Sequence, residues 1–395
     1  MTASSPSTGK STTVSEDPNV IPVFQPHIGD DTLKAVSDAF DVGWLGMGAA
    51  TREFEDEIAA WIGAGDRQVI ATNTGTSALH IAVAVVGIGP GDEVIVPSFN
   101  FVADHQAISA EGGSPVFCDI RDDNLGIDAD KAATLISERS RAIMPLHFAG
   151  VPCDIGRVYE LAKAHDLRVI EDATHAFGTL HDGKKIGASG DIACFSFDPV
   201  KVITSIDGGA LVLPAGDEAE RAKQLRLLGI DKETELRYEN KRAWEYDVVS
   251  RGFRYHLTNI NASIGLSQLV RADEFIAARQ AHCRLYNELL ADIEQITTPG
   301  TDFEGVSPFI YTIRVLDGRR EELIEHLRTN GVATGIHFMP AHTYAYYSGS
   351  RRSDMTVTER VSNQILTLPL HSEMRNETVE RICALIILFF GHVNG

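Results

Sequence analysis

Two runs of residues in this chain have types and spacing that carry chemistry. One is Phe195-Ser196-Phe197-Asp198-Pro199-Val200-Lys201; the other, about thirty residues upstream, is Glu171-Asp172-Ala173-Thr174-His175-Ala176. An acid at the end of an apolar strand (Leu167-Arg168-Val169-Ile170), followed by a lysine at the end of another, is the pair that pyridoxal phosphate (PLP) chemistry needs. The lysine holds such a cofactor as a Schiff base, and the acid keeps its pyridine nitrogen protonated so that the ring withdraws electrons. Lys201 stands between Ile192–Phe197, which reads as a buried strand, and the glycine turn Gly208-Gly209 that enters Ala210–Leu213. Partial desolvation of an amine in such a place lowers its pKa toward neutrality and favours Schiff-base formation. Taken alone, Asp172 also suits the cap of a helix starting near Ala173.

A third run, Thr72-Asn73-Thr74-Gly75-Thr76-Ser77, lies between the expected strand Gln68–Ala71 and the expected helix Ser77–Val86. Backbone N–H groups at a helix N-terminus, with hydroxyls beside them, form an anion site. As an isolated run it reads first as an ordinary Ser/Thr N-cap, and beside the Lys201 region as the anion site. Gly87-Ile88-Gly89-Pro90-Gly91 follows a helix and lacks G-x-G-x-x-G spacing, so it reads as a turn and not as a dinucleotide site.

The elements that must position these residues follow from the hydrophobic pattern. From about residue 66 to 215, short β-rich runs alternate with helical stretches, among them helices near Ala103–Ala110 and Gly156–His165 and strands at Glu93–Val96 and Leu167–Glu171. That alternation predicts an α/β fold whose mostly parallel sheet carries helices on both faces, with ligands at the carboxyl ends of the strands. Beyond it, Leu257–Arg279 reads as one long helix leading into a smaller α+β part. There, Phe309–Val315 and Thr334–Phe338 read as strands, Arg320–Asn330 as a helix closed by Gly331, and Glu377–Phe390 as the closing helix.

Composition narrows the function classes. A length of 395 residues predicts two domains, and a net charge of −20 argues against nucleic-acid partners and anionic membranes. An anionic substrate would need a local basic patch within that acidic surface. The five cysteines are scattered without C-x-x-C spacing, which predicts buried free thiols in a reducing cytoplasm and no metal site. Residues 1–20, rich in Ser, Thr and Pro without an apolar core, are expected to form a disordered tail. The apolar run Ala384–Phe390 has seven residues, far short of the ~20 that span a bilayer, so no membrane association is expected.

The stretch from Glu171 to Leu213 resembles the sugar aminotransferases of the fold-type I PLP enzymes, the DegT–StrS group. The resemblance runs from about Ile21 to the C-terminal helix. Further motifs recur in order: GWLGMG near residue 43, TNTGTSALH at 72, GDEVIVPSFNFVAD at 91, GFRYHLTNINASIGLSQL at 252 and LTLPLH at 366. It implies a large PLP-binding domain over residues 21–255 and a smaller C-terminal α+β domain over 256–395. It also implies Lys201 as the Schiff-base lysine and Asp172 on the pyridine nitrogen. Gly75, Thr76, Ser77 and Ser196 match positions that hold the cofactor phosphate. Phe101 matches the aromatic that stacks on the ring, with Phe99 the neighbour most easily confused with it, and His175 would sit near the ring oxygen.

The same resemblance implies transamination from glutamate through pyridoxamine phosphate to a nucleotide-linked keto-deoxysugar. The signatures Ile21–Pro26 and Gly43–Gly46 look more like members acting at C4, with dTDP-4-keto-6-deoxyglucose as substrate, than at C3. GDP-4-keto-6-deoxymannose is the second candidate; a sugar 3-dehydratase is disfavoured because those relatives carry histidine where Lys201 stands. A PLP-binding regulatory protein without turnover is the alternative from another class. A homodimer is implied, each site completed by the partner's Gly252–Asn259 segment. Within it, Arg254 stands where many relatives carry an asparagine that reaches the phosphate, and His256 where many carry arginine. Arg254 can contact the cofactor phosphate or the substrate's phosphates. Asp104 and Gln106 replace a threonine and an asparagine of the pattern. In the small domain, Gly335–His342 resembles a substrate-facing loop, and Tyr344, Tyr346 and Tyr347 suit either a sugar-flanking or a packing role.

Overall fold

The computed structural model describes residues 20–391, so the expected tail lies outside the described residues except for Val20. Among these residues the strands are β1 Gln68–Thr72, β2 Glu93–Pro97, β3 Ser114–Cys118, β4 Ser140–Ile143 and β5 Arg168–Asp172. There follow a short hairpin of β6 Leu180–His181 and β7 Lys184–Lys185, then β8 Ile192–Ser196, β9 Gly209–Leu213, β10 Ile296–Thr297, β11 Tyr311–Val315 and β12 Ile365–Leu368. Seven of them form one sheet in the order β1-β9-β8-β5-β4-β2-β3. All neighbours pair in parallel except β9, which runs against both β1 and β8.

Apolar residues at every position, not at alternate ones, are the signature of strands buried on both faces. Successive residues point to opposite sides. Ile70, Val94, Val96, Leu211 and Leu213 enter a core with the helices Gly75–Val86 and Ala103–Ala110. Val69, Ala71, Phe195 and Val212 enter a second core on the other face with Phe54 and Ile58 of the helix Ala49–Ile62. Ile95, Val116 and Val169 extend that face over the other half of the sheet. The helix Gly75–Val86 is apolar nearly all round, and such a helix must be interior. Its start is fixed by Thr74, whose hydroxyl accepts the Ser77 N–H at 3.0 Å, and its end by Gly87 in the left-handed region at φ 85°.

A three-stranded antiparallel sheet, β10-β11-β12, packs with the helices Ala272–Leu290, Arg320–Thr329 and Asn376–Gly391 around a separate core that includes Cys283 and Cys383. The fold is therefore α/β with a smaller α+β part, as expected.

Two sequence expectations are corrected. The expected single helix over Leu257–Arg279 is two, Asn259–Leu269 and Ala272–Leu290. The break is at Arg271, which leaves helical geometry (φ −106°, ψ 5°) and pairs with Glu274 in the first turn of the second helix. A break this short leaves the apolar period intact, so periodicity does not reveal it. Thr334–Phe338 is not a strand: Gly335 alone bridges to Thr367 of β12, and the peptide His337–Phe338 is cis. All five cysteines are buried and unpaired, and no helix among the described residues is long and apolar enough to cross a membrane.

Candidate active site

The carboxyl ends of four strands of the large sheet meet at one cleft of about 370 Å³: the loop after β1, the segment after β2, the end of β5 and the turn after β8. Strand ends on one side of a parallel sheet are where side chains from distant sequence positions converge.

Asp172 is the last residue of β5 and is buried. No helix follows it. Its Oδ1 accepts the Thr174 N–H at 2.9 Å, closing a turn, and its Oδ2 accepts the Asn100 amide at 3.0 Å. Lys201 lies in the turn after β8, its N–H donating to the Asp198 carbonyl at 3.0 Å. Its amine sits 3.9 Å from the centroid of the Phe309 ring. Burial pushes this amine down to about 8, while Asp172 and Asp198 pull it the other way. Two imidazoles near it, His175 and His337, are held neutral mainly by burial, His337 at about 4 and His175 well below its ordinary value. Neutral rings add polarity around Lys201 without adding a second positive charge.

Thr74, Gly75 and Thr76 line the opposite end of the cleft together with Ser196. The contact between loop and strand is tight. A Cβ on Gly75 would stand 2.7 Å from the Ser196 Cβ, and one on Gly209 would stand 2.5 Å from the Thr74 carbonyl. Glycine is required at both because backbone meets neighbour directly. Phe101 lines the cleft and is 56% exposed, whereas Phe99 is 0% exposed and packs on Phe148; exposure separates the two. His175 is interior, with its Nδ1 unpartnered and its ring 4.4 Å from that of Phe309.

Other expected residues fall elsewhere. Ser77 does not line the cleft: its N–H is taken by Thr74 and its hydroxyl donates to Asn73 at 2.7 Å. Arg254 is exposed and does not line this chain's own cleft. Its segment runs beside the loop after β1, where the Asn73 N–H donates to the Tyr255 carbonyl at 2.7 Å and Thr72 bridges to His256. His256 is pushed down to about 4 by burial and by Arg237, Arg254, Arg226 and Arg242 around it, so positive charge does gather here in an acidic protein. Tyr344, Tyr346 and Tyr347 do not line the cleft either. Tyr347 packs edge-on against Phe117, and its hydroxyl accepts from Gln106 at 2.9 Å, so that pair is structural.

Residues that the motifs did not single out complete the cleft. Phe24, Phe309, His337 and Phe338 form its outer wall, although His337 and Phe338 fall in the loop expected to face a substrate. Arg279, fully buried, donates to the carbonyls of Phe309 and Leu370, each at 3.1 Å, and of Lys201 at 3.4 Å. Nothing in the sequence marks a helix arginine as the fastening of a catalytic turn.

These groups fit PLP. The Gly75 and Thr76 N–H groups have no protein acceptor among the described residues, and with the Ser196 hydroxyl they would suit a phosphate at a helix N-terminus. Asp172 offers a carboxylate for a protonated ring nitrogen, and Lys201 an amine that is partly neutral near pH 8.

The profile of the DegT/DnrJ/EryC1/StrS aminotransferase family matches residues 26–387. The chain is 36% identical over 372 residues to the GDP-perosamine synthase of Caulobacter vibrioides, covering 93% of this chain and 97% of that protein. The crystal structure of the aminotransferase TlmJ from Streptoalloteichus hindustanus superposes with a TM-score of 0.88 at 32% identity, over 95% of this chain and all of that one. A sugar aminotransferase structure from Streptococcus pneumoniae in its PLP form gives 0.84 at 26% identity, over 92% and 97%. By family profile, by identity and by fold, the chain belongs to the DegT/DnrJ/EryC1/StrS aminotransferase family and is a PLP-dependent sugar aminotransferase.

Proposed function

We propose that the chain transfers an amino group from glutamate to the keto carbon of a nucleotide-linked keto-deoxysugar, with C4 of dTDP-4-keto-6-deoxyglucose as the first candidate. The observation that carries this reading is the convergence of Lys201, Asp172 and the Thr74–Thr76 loop on one cleft. When bound, PLP supplies the electron sink that acidifies the donor's Cα proton and stores the amino group between the two half reactions. The chain's residues do the rest. Gly75, Thr76 and Ser196 hold the phosphate, Asp172 accepts the ring N–H, and Phe101 covers one face of the ring. Lys201 takes the Cα proton and later returns it; an amine near pKa 8 is suited to both directions at neutral pH. Phe24, Phe309 and Phe338 exclude water, and His175 and His337 offer neutral hydrogen-bonding edges to a sugar.

A second copy of the chain bringing Arg254 to the phosphates is part of this reading, supported by the arginines gathered around His256. The guanosine-linked sugar stays as the second candidate because one relative is a GDP-perosamine synthase. Five unpaired cysteines suit a reducing cytoplasm.

The test is the visible spectrum of the purified protein with PLP, before and after excess glutamate, beside Lys201→Ala. A bound-cofactor band that glutamate bleaches in wild type alone supports transamination through Lys201. The bleached form is then challenged with thymidine- and guanosine-linked 4-keto and 3-keto sugars. Recovery of the band with the thymidine-linked 4-keto sugar supports the first candidate. A bound cofactor that no amino donor alters would point to the silent PLP-binding alternative.

A further inference from the structure

Beneath Asp172 lies a second acid with no cation to balance it. Asp104, in the first turn of the helix Ala103–Ala110, is 0% exposed. Asn100 joins the two. Its Oδ1 accepts the Phe101 N–H at 2.6 Å, which leaves its NH₂ group to face the acids. That nitrogen lies 2.5 Å from Asp104 Oδ2 and 3.0 Å from Asp172 Oδ2, so both carboxyls are drawn to one amide. Asp172 has a further donor in the Thr174 N–H, whereas Asp104 Oδ1 is sealed from solvent without a partner. Two adjacent carboxylates away from water cannot both hold a full charge. The one with more donors keeps it.

We propose that Asp104 is a positioning residue that stays protonated and shares its proton with Asp172, so that the buried pair carries a single negative charge. Its role toward the cofactor rests on the reading of Asp172 as partner of the ring nitrogen. Burial, followed by the charge of Asp172 and hydrogen bonding to it, drives the Asp104 carboxyl well above the ordinary range. Among the described residues no cation is set against Asp104 itself. His105, on the same helix, donates to the Pro97 carbonyl at 3.1 Å and is held neutral, at about 4, by burial. Cys194 of β8 is kept a thiol by burial and by Asp172, Asp104 and Glu171. Lys201 faces Asp172 and Asp198. The shared proton then gives Asp172 a third donor beside the Thr174 N–H and the Asn100 amide.

The linkage has a definite sign. An acid whose folded-state pKa is raised contributes stability that is full below its unfolded pKa of about 4 and is lost as pH rises toward the folded value. Full-length wild type, with and without PLP, should lose Tm relative to Asp104→Asn between pH 5 and 8. At pH 8 its infrared spectrum should hold a protonated-carboxyl stretch that Asp104→Asn, or Asp104→Leu if the first variant does not fold, deletes. In the PLP-loaded chain, Asp104→Leu should shift the pH midpoint of the visible band, because Asp172 has lost a donor. Parallel Tm–pH curves, absence of the stretch, or an unmoved midpoint would overturn the proposal. Asp172→Asn separates the two readings: if it binds PLP as tightly as wild type, and wild type shows the stretch, the ring-nitrogen role fails and the shared proton stands.

Discussion

Two buried acids, Glu55 and Asp172, are treated differently by the chain. Glu55, at the open edge of β1, takes the Ala71 N–H at 2.7 Å, a charged bond from Arg226 and the Tyr238 hydroxyl. Arg226, itself 0% exposed, is tied in turn to the Ala71 carbonyl at 3.0 Å. This charge is closed within the protein. Asp172, with Asp104 behind it, receives neutral donors and no cation of comparable closeness. Where a charge is structural, the fold supplies its counter-charge. Where a charge is to act on a ligand, the counter-charge is left for the ligand to bring, and the apoprotein carries the imbalance.

That contrast can be broken at either end. Lys201→Ala, on the working side, should abolish glutamate-driven bleaching of bound PLP and lower turnover by ~10⁴-fold or more, since a proton carrier and a covalent anchor are lost together; stopped-flow absorbance reads both. Arg226→Ala, on the structural side, should lower stability by about 3–5 kcal/mol in urea titration by leaving Glu55 buried and unpaired. A fall below 1 kcal/mol would erase the distinction between the two acids.

The smaller effects sharpen it. Capture of PLP by the cofactor-free chain should accelerate roughly tenfold between pH 7 and 9 as the Lys201 amine, near 8, loses its proton. In the same chain the folded lysine binds fewer protons than the unfolded one from about pH 8 to 10.5, so its contribution to stability should rise with pH across that window. Lys201→Met should flatten it. Ser196→Ala, removing one neutral hydroxyl from the phosphate seat, should weaken PLP binding by about 1 kcal/mol, roughly fivefold in Kd, by equilibrium dialysis.

What could be read from the sequence follows the range of each signal. Strand ends and glycine turns are local, so the runs holding Asp172, Lys201 and Gly75 were legible, and the alternation of elements gave the α/β fold. Phe101 was legible through its motif, and exposure distinguishes it from Phe99. Ser77 misled because a Ser/Thr-rich helix start does not say which hydroxyl caps the helix and which backbone faces outward. Asp104 appeared as a departure from a pattern; that it shares the Asn100 amide with Asp172, 68 positions later, depends on the parallel pairing through β4 that sets β2 and β5 two strands apart. Phe24 and Phe309 reach the cleft, and Arg279 the carbonyl of Lys201, through tertiary packing that no periodicity encodes.

Arg279 has a mechanical consequence. One planar guanidinium fastens the peptide of Lys201 to Phe309 and to Leu370, residues that belong with the three-stranded sheet. The reactive amine therefore has two landlords. Its backbone hangs from the end of β8, and it is also leashed to the body that carries the outer wall of the cleft. Any rocking of that body would pull on the peptide of Lys201 itself, so that on the proposed function gripping a sugar and aiming the amine would be a single movement.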